Sequence, residues 1–333
     1  MAVHTYTKKD VNPSALQGKK VGVLGYGAQG RAQALNLRDS GVDVQVAVRE
    51  GGASWKVAKQ DGFEPVSFQV AAETSDIVHL LLPDDVQWTI YESDIGPYLK
   101  PGQSLTFSHG FNVHYGFITP PEGVDVWLAA PKSPGSEVRK TYNDGFGVPG
   151  LIAIHVDASG KAKEQALAFA DALGLTRAGV LECTFAEETE EDLYGEQVVL
   201  CGGTSELVKK GFEVLVEAGY PPEMAYFECL HELKLIVDLM ERGGLTEMWH
   251  VVSNMAELGG RWVGPRIITE DTKEVMRQVL KEVQADPSDP NSFAYRAKQE
   301  FDSGMPNLKK LREEEAKHAI EVVGKEVRAL FQR

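Results

Sequence analysis

A short apolar run that stops at glycines decides much of the architecture. Residues 20–25, KVGVLG, read as a strand buried on both faces. They lead directly into Gly25-Tyr26-Gly27-Ala28-Gln29-Gly30, and GRAQALNLRDSG then reads as a helix closed by Gly41. In such a turn the first glycine permits the sharp bend, the second keeps the backbone open at the helix N-terminus, and the third lets helix and strand pack closely. A lone G-x-G-x-x-G is weak in a chain with 33 glycines. Its place after a strand and at the start of a helix gives it weight, and Gly25, Tyr26, Gly27, Ala28, Gln29 and Gly30 are expected to hold a dinucleotide.

The rest of the first half repeats this alternation. VDVQVAVR follows as a second strand. DIVHLLL (76–82), QSLTFS (103–108), DVWLAA (125–130), GLIAIHV (150–156) and TRAGVLE (176–182) are further strand candidates, separated by helical or loop segments. The pattern predicts an α/β fold: an N-terminal Rossmann-like, doubly wound, mostly parallel sheet with helices on both faces. Past about residue 183 the period becomes helical, so an all-helical C-terminal domain is expected, with domains at 1–182 and 183–333. The last helix is amphipathic and charge-laced, as a surface or partner-contacting element would be.

Composition narrows the function classes. A formal net charge of −15 argues against non-specific nucleic-acid binding. No apolar run approaches the length of a membrane span, and MAVHTYTKKDVNPS has no signal-peptide core, so a cytoplasmic protein is expected. The three cysteines, Cys183, Cys201 and Cys229, lie far apart and form no C-x-x-C, and buried free thiols are expected of them.

Several strand ends carry chemistry, where open α/β sheets bind ligands. Arg49 stands 19 residues after Gly30, where an NAD site would place an acid. With Ser54 it suits a 2′-phosphate, favouring NADPH, while the intervening Glu50 cuts toward NADH. Pro83 and Asp84 end one strand and are assigned to the cofactor site. His109 ends the next and Lys132 the one after, and both are candidate catalytic residues.

Two acidic pairs complete the inventory. Asp192 with Glu196, and Glu228 with Glu232, are each spaced one helical turn apart. The second pair lies in MAYFECLHELKLIVDLM, apolar nearly all round and so expected to be buried, where unpaired carboxylates are costly. Four acids without matching cations point to a hard divalent ion with all-oxygen ligation, Mg²⁺ or Mn²⁺. The Asp192–Glu196 stripe continues into Val199 and Gly203, a face expected to pack inward. Glu187, Glu188, Glu190 and Glu191 are read instead as first-turn acids favoured by the helix dipole.

Together GYGAQG, SHGFNVHYG, APKSPGSEVR, EEDLYGEQVVLCGG and CLHELKLIVDLM closely resemble ketol-acid reductoisomerase, in its short form, over nearly the whole chain. The resemblance implies conversion of 2-acetolactate, or 2-aceto-2-hydroxybutyrate, to the 2,3-dihydroxy acid in branched-chain amino-acid biosynthesis. It implies two Mg²⁺ and NADPH, while Glu50 keeps NADH as the lesser option. Asp192 would bridge the metals, Glu196 would bind one, and Glu228 and Glu232 would come from a neighbouring subunit of a homodimer or higher homo-oligomer. Glu232 is also a candidate proton acceptor, Ser253 would hydrogen-bond the substrate carboxylate, and His109 and Lys132 would lie near metals and nicotinamide. Ser133 stands where the family usually has glycine. A β-hydroxyacid dehydrogenase shares the two-domain plan but relies on a lysine without a dimetal site, and an NADP(H)-sensing regulator would not need the four carboxylates.

Overall fold

The computed structural model describes residues 3–331. The chain divides into two compact units, Met1–Glu191 and Asp192–Arg333.

Unit 1 is built on one eight-stranded sheet. Its strands are β1 (Thr5–Tyr6), β2 (Lys20–Leu24), β3 (Asp43–Ala47), β4 (Ile77–Leu80), β5 (Ser104–Phe107), β6 (Asp125–Pro131), β7 (Gly150–Val156) and β8 (Val180–Cys183). Their order across the sheet is β1-β8-β7-β6-β5-β4-β2-β3. The strands from β3 to β6 pair parallel, as do β7 and β8, while β6–β7 and β1–β8 pair antiparallel. Alternate residues feed two cores, as the two-residue strand period requires. Val21, Val23, Ile77, Trp127 and Phe169 fill one, and Leu24, Val78, Leu80, Phe107 and Leu128 fill the other. Helix Ala28–Asp39 buries a run of small and aliphatic side chains, Ala32, Ala34, Leu35 and Leu37, which lets it sit close to the sheet.

All seven expected strands are present. The eighth, β1, is only two residues long, too short for periodicity to reveal, and exists because it pairs with β8. Thr176 and Arg177, expected at the start of the last strand, fall in a 3₁₀ turn, Leu175–Arg177, and β8 starts after Gly179, whose φ of 122° an L side chain rarely adopts.

Unit 2 is helical throughout its described residues. A small core gathers Val208, Phe212, Ala225, Tyr226, Ile320 and Val327. Two π turns, Glu196–Leu200 and Phe227–His231, interrupt its helices. Helix Leu233–Val251 kinks at Gly244, where φ is 73°. The cysteines are free, but Cys201 is exposed and Cys183 and Cys229 are only half-buried, which corrects the expectation of buried thiols. Cys201 follows the first π turn, whose altered pitch turns it out to solvent.

Candidate active site

The strand order reverses between β2 and β4, because the chain runs outward from β2 to β3 and then returns to β4 on the other side. A crevice at the carboxyl ends of these strands is the ligand site of such sheets. The glycine turn occupies it. Gly25 has φ of 106°, and a Cβ there would lie 2.5 Å from the Leu81 carbonyl oxygen. A Cβ at Gly30 would lie 2.2 Å from the Gly25 carbonyl oxygen, so helix Ala28–Asp39 packs too closely for any side chain. At Gly27 a Cβ would meet nothing within 4 Å, which leaves open space at the helix N-terminus for a phosphate.

The two polar side chains inside this motif point elsewhere. Tyr26 is buried and donates to Asp61 Oδ2 at 2.9 Å, so it offers the turn its backbone. Gln29 Nε2 donates to the Ser133 carbonyl oxygen at 2.8 Å, joining the turn to the loop after β6.

Past β3, Val48, Arg49, Glu50, Trp55, Gln69 and Asp94 are among the residues that line a cavity of about 320 Å³. Arg49 thus stands on a pocket wall, in company with two acids. Ser54 is the second residue of helix Ala53–Gln60, beside this cavity's Trp55 but not in its lining. After β4, Pro83 caps helix Asp84–Ile90, and Asn112 Nδ2 lies 3.3 Å from Asp84 Oδ1.

The ends of β5 and β6 converge on a carboxylate that the sequence reading assigned only to a helix dipole. Glu188 is 1% exposed. Its Oε2 accepts from the Gly110 backbone N–H at 2.8 Å and lies 3.2 Å from His109 Nδ1. Its Oε1 lies 3.1 Å from Lys132 Nζ. Burial works to raise the Glu188 pKa, but the His109 hydrogen bond, the His109 and Lys132 charges and the Gly110 N–H outweigh it. The carboxyl is held below its ordinary value. A signal for this residue was present: Glu188 stands four residues before Asp192, so the Asp192–Glu196 stripe extends back to it. Glu187 takes the first-turn role instead, closing a capping box with Thr184.

Helix Phe185–Gly195 runs unbroken from Glu188 to Asp192. One donor atom from each of His109, Glu188 and Asp192 falls within 4.8 Å of the others, a donor set of carboxylates and imidazole compatible with a divalent cation. Among the described residues, Glu196, Glu228 and Glu232 join no such three-donor group.

Two burial expectations need correction. Val199 is 53% exposed and Gly203 is exposed, so the stripe beyond Glu196 does not pack inward. The π turn explains it: the Cys201 N–H bonds to the Glu196 carbonyl, five residues back, and the wider turn rotates the next residues out of phase. Glu228 and Glu232 are exposed in the single chain, as are Leu235 at 58% and Val237 at 48%. That helix is apolar around much of its circumference, but among the described residues of unit 2 no further layer covers it. Ser253 is an exposed N-cap whose Oγ accepts from the Ala256 N–H at 3.2 Å.

Comparison with known proteins decides the family. Residues 15–179 match the acetohydroxy acid isomeroreductase NADPH-binding domain, and residues 185–333 match the ketol-acid reductoisomerase C-terminal domain. The chain belongs to the ketol-acid reductoisomerase family. It is 52% identical over 328 residues to a ketol-acid reductoisomerase (NADP(+)) of Methanocaldococcus jannaschii, covering 98% of each chain. A ketol-acid reductoisomerase (NADP(+)) of Methanothermobacter thermautotrophicus is 53% identical over 325 residues, again 98% of each. An NADH-preferring ketol-acid reductoisomerase from an uncultured archaeon superposes with a TM-score of 0.95 at 52% identity, covering 99% of this chain and 100% of that one. As expected of ketol-acid reductoisomerases, the chain is an oxidoreductase with an N-terminal Rossmann-like sheet and a helical C-terminal region. The dehydrogenase and regulator alternatives fall away.

Proposed function

We propose that the protein isomerises 2-acetolactate, or 2-aceto-2-hydroxybutyrate, by alkyl migration and reduces the resulting 2-ketoacid to the 2,3-dihydroxy acid. Two Mg²⁺ and NADPH serve as cofactors. The observation that carries this reading is the buried Glu188, tied to His109 and Lys132 one helical turn before Asp192.

Asp192 and Glu196 would hold the metals, with Glu228 and Glu232 supplied by a second copy of the chain. Their exposure in the single chain and the bare apolar side chains around them support that supply. When bound, the two ions supply Lewis acidity, polarising the carbonyl and lowering the pKa of the neighbouring tertiary hydroxyl. Glu232 accepts the hydroxyl proton. The Lys132 ammonium and His109, both anchored on Glu188, present donors to the substrate oxygens, and Ser253 binds the substrate carboxylate. The backbone of Gly25–Gly30 holds the pyrophosphate, with Pro83 and Asp84 beside it, and Arg49 and Ser54 meet the 2′-phosphate. Cofactor work thus falls to residues 1–182, which also lend His109 and Lys132 to the substrate, and the metal ligands, Ser253 and the subunit contacts fall to 183–333. A homodimer or higher homo-oligomer fits this division. Among the described residues no helix is long and apolar enough to cross a membrane.

The test is NADPH oxidation in the presence of 2-acetolactate, with Mg²⁺ and with a chelator. Turnover is expected only with Mg²⁺. No oxidation under either condition, or undiminished oxidation with the chelator, defeats the reading. A second reading, NADH as the preferred cofactor, is favoured by Glu50 and Asp94, which share the cavity wall with Arg49. The kcat/KM ratio for the two cofactors decides it.

A further inference from the structure

The β-sheet core beneath the crevice holds polar side chains that no step above uses. His79 on β4 and Gln33 on helix Ala28–Asp39 are both fully buried. Apolar residues of similar volume would fill this layer without desolvation cost, so the polar ones are justified only by what their hydrogen bonds fix.

Those bonds have one direction. Gln33 Nε2 lies 3.1 Å from Gln29 Oε1 and 3.0 Å from Ser108 Oγ, so the amide nitrogen faces these two acceptors. Its Oε1 therefore faces His79 Nε2, at 2.9 Å, and that ring nitrogen must carry the hydrogen. His79 Nδ1 is left with a lone pair, which accepts from the Thr106 hydroxyl at 2.6 Å, on the residue directly across from it in the sheet. Burial pushes the His79 pKa down to about 3, which keeps the ring neutral and the tautomer fixed. Beyond Gln33, Gln29 Oε1 accepts and Gln29 Nε2 donates to the Ser133 carbonyl oxygen.

We infer that His79, Gln33 and Gln29 are positioning residues, a one-way donor chain from the sheet core that fixes the Lys132 loop against the cofactor turn. The inference rests on the role given to Lys132 above. Three further contacts locate the loop at the same place. The Lys132 N–H donates to the Pro149 carbonyl at 2.9 Å. Ser108, itself bonded to Gln33, donates to the Ala129 carbonyl at 2.9 Å. A Cβ at Gly135 would stand 2.3 Å from the Ala28 carbonyl oxygen, so loop and turn are in backbone contact. The Gln29 bond ties that turn to this loop through a side chain, and it ends one residue from the group that must meet the substrate.

The experiment uses the full-length enzyme and measures kcat, both Michaelis constants, NADPH affinity and Tm. Gln33→Met removes the central amide, strands its partners and is expected to lower both Tm and kcat. In Gln33→Met/His79→Leu/Thr106→Val the buried pair and the hydroxyl behind it are all apolar, which is nearly neutral when no buried partner is left unmatched, so Tm is expected to recover in large part. The kcat is expected to stay about 10-fold or more below wild type, as for a misplaced catalytic group, with NADPH affinity nearly unchanged. Gln29→Met, at a partly exposed site, should lower kcat similarly with little change in Tm, and it serves if the core variants fail to fold. A kcat that recovers together with Tm, or a Gln29→Met enzyme with wild-type kcat, overturns the inference. Lys132→Met separates the two failures. If it is inactive while the chain variants are normal, the positioning role alone is wrong; if it is active, the role of Lys132 falls and the inference with it.

Discussion

The two units differ in how completely each is covered. In unit 1 helices close both faces of the sheet, and the exposed large apolar residues, Val3, Val70, Val86, Phe146, Val156 and Leu181, are scattered. Unit 2 is shorter, yet among the described residues it carries the other twenty, including Met255 at 78%, Trp262 at 68%, Val275 at 64% and Ile267 at 54% exposed. Val199, Leu207, Ile267, Ile268, Val275 and Val279 line one apolar groove of about 590 Å³. Single exposed apolar residues are ordinary, but a contiguous set marks an interaction surface. Unit 1 thus covers its own cores, whereas unit 2 leaves a contiguous apolar surface bare in the single chain. The acidic residues follow the same division: Glu188 finds its cations within unit 1, while Glu228 and Glu232 lie on the uncovered helix.

The most severe test of this contrast is to disable unit 2 and ask whether unit 1 notices. Asp192→Asn is expected to lower Mg²⁺-dependent turnover by more than about 100-fold, since even outer-shell changes at metal sites cost 10- to 100-fold. NADPH affinity should stay within about twofold, as for independent sites. Near-normal turnover at saturating Mg²⁺ would remove Asp192 from the metal site. A large loss of NADPH affinity would show that the cofactor site is not confined to unit 1.

Whether unit 2 waits for a second copy is tested by complementation. Asp192→Asn and Glu232→Gln proteins are each expected to be inactive. After subunit exchange, half the dimers are hybrids, and each hybrid holds one site with both native acids. Activity should therefore return to roughly a quarter of wild type, on the assumption of random pairing in a two-fold dimer. Fully exchanged hybrids that stay inactive would place both pairs in one chain.

Unit 1 was the more legible of the two in sequence, and the reason is physical. A strand buried on both faces is a continuous apolar run, and a glycine turn has few alternatives, so β2 through β7 and the turn could be read locally. What escaped was set by tertiary pairing: β1, two residues long, and Glu188, whose burial depends on His109, Gly110 and Lys132, all more than 50 residues away. In unit 2 helical spacing reveals the acidic pairs but not their surroundings, because π turns at 196–200 and 227–231 leave no mark in a 3.6-residue pattern. An apolar stripe also says that a face is to be covered without saying by which chain.

A smaller effect probes the outer end of the unit 1 crevice. Arg49 lines the cavity past β3 together with Glu50 and Asp94. Losing a charge-assisted hydrogen bond costs roughly 1.5–3 kcal/mol, or about 10- to 150-fold in affinity. Arg49→Ala/Ser54→Asp is therefore expected to shift kcat/KM from NADPH toward NADH by at least about 10-fold, since the new acid repels the phosphate and accepts from the ribose hydroxyls. Steady-state kinetics with both cofactors check it. An unchanged ratio would remove both residues from the cofactor site.

The smallest effect lies in the core of unit 1, which the chain covers by itself. His79 has its pKa pushed down to about 3 by burial, whereas in the unfolded chain it titrates near its ordinary value of about 6.5. Between these two values the unfolded state binds a proton that the native state refuses, so stability rises with pH across this window and falls as pH is lowered. Above the unfolded value neither state is protonated, and the group adds no pH dependence. The slope cannot exceed about 1.4 kcal/mol per pH unit for one group. His79→Gln removes the titration while keeping a donor and an acceptor in the layer. Urea unfolding at pH 7, 6 and 5, followed by near-ultraviolet signals from Trp127 beside this core, should show the wild type losing about 1 kcal/mol more per pH unit than the variant below pH 6. Carboxylates titrate equally in both proteins and cancel in that difference. Parallel curves would mean that His79 takes up its proton in the native state, and that water reaches the core of the unit that covers its own.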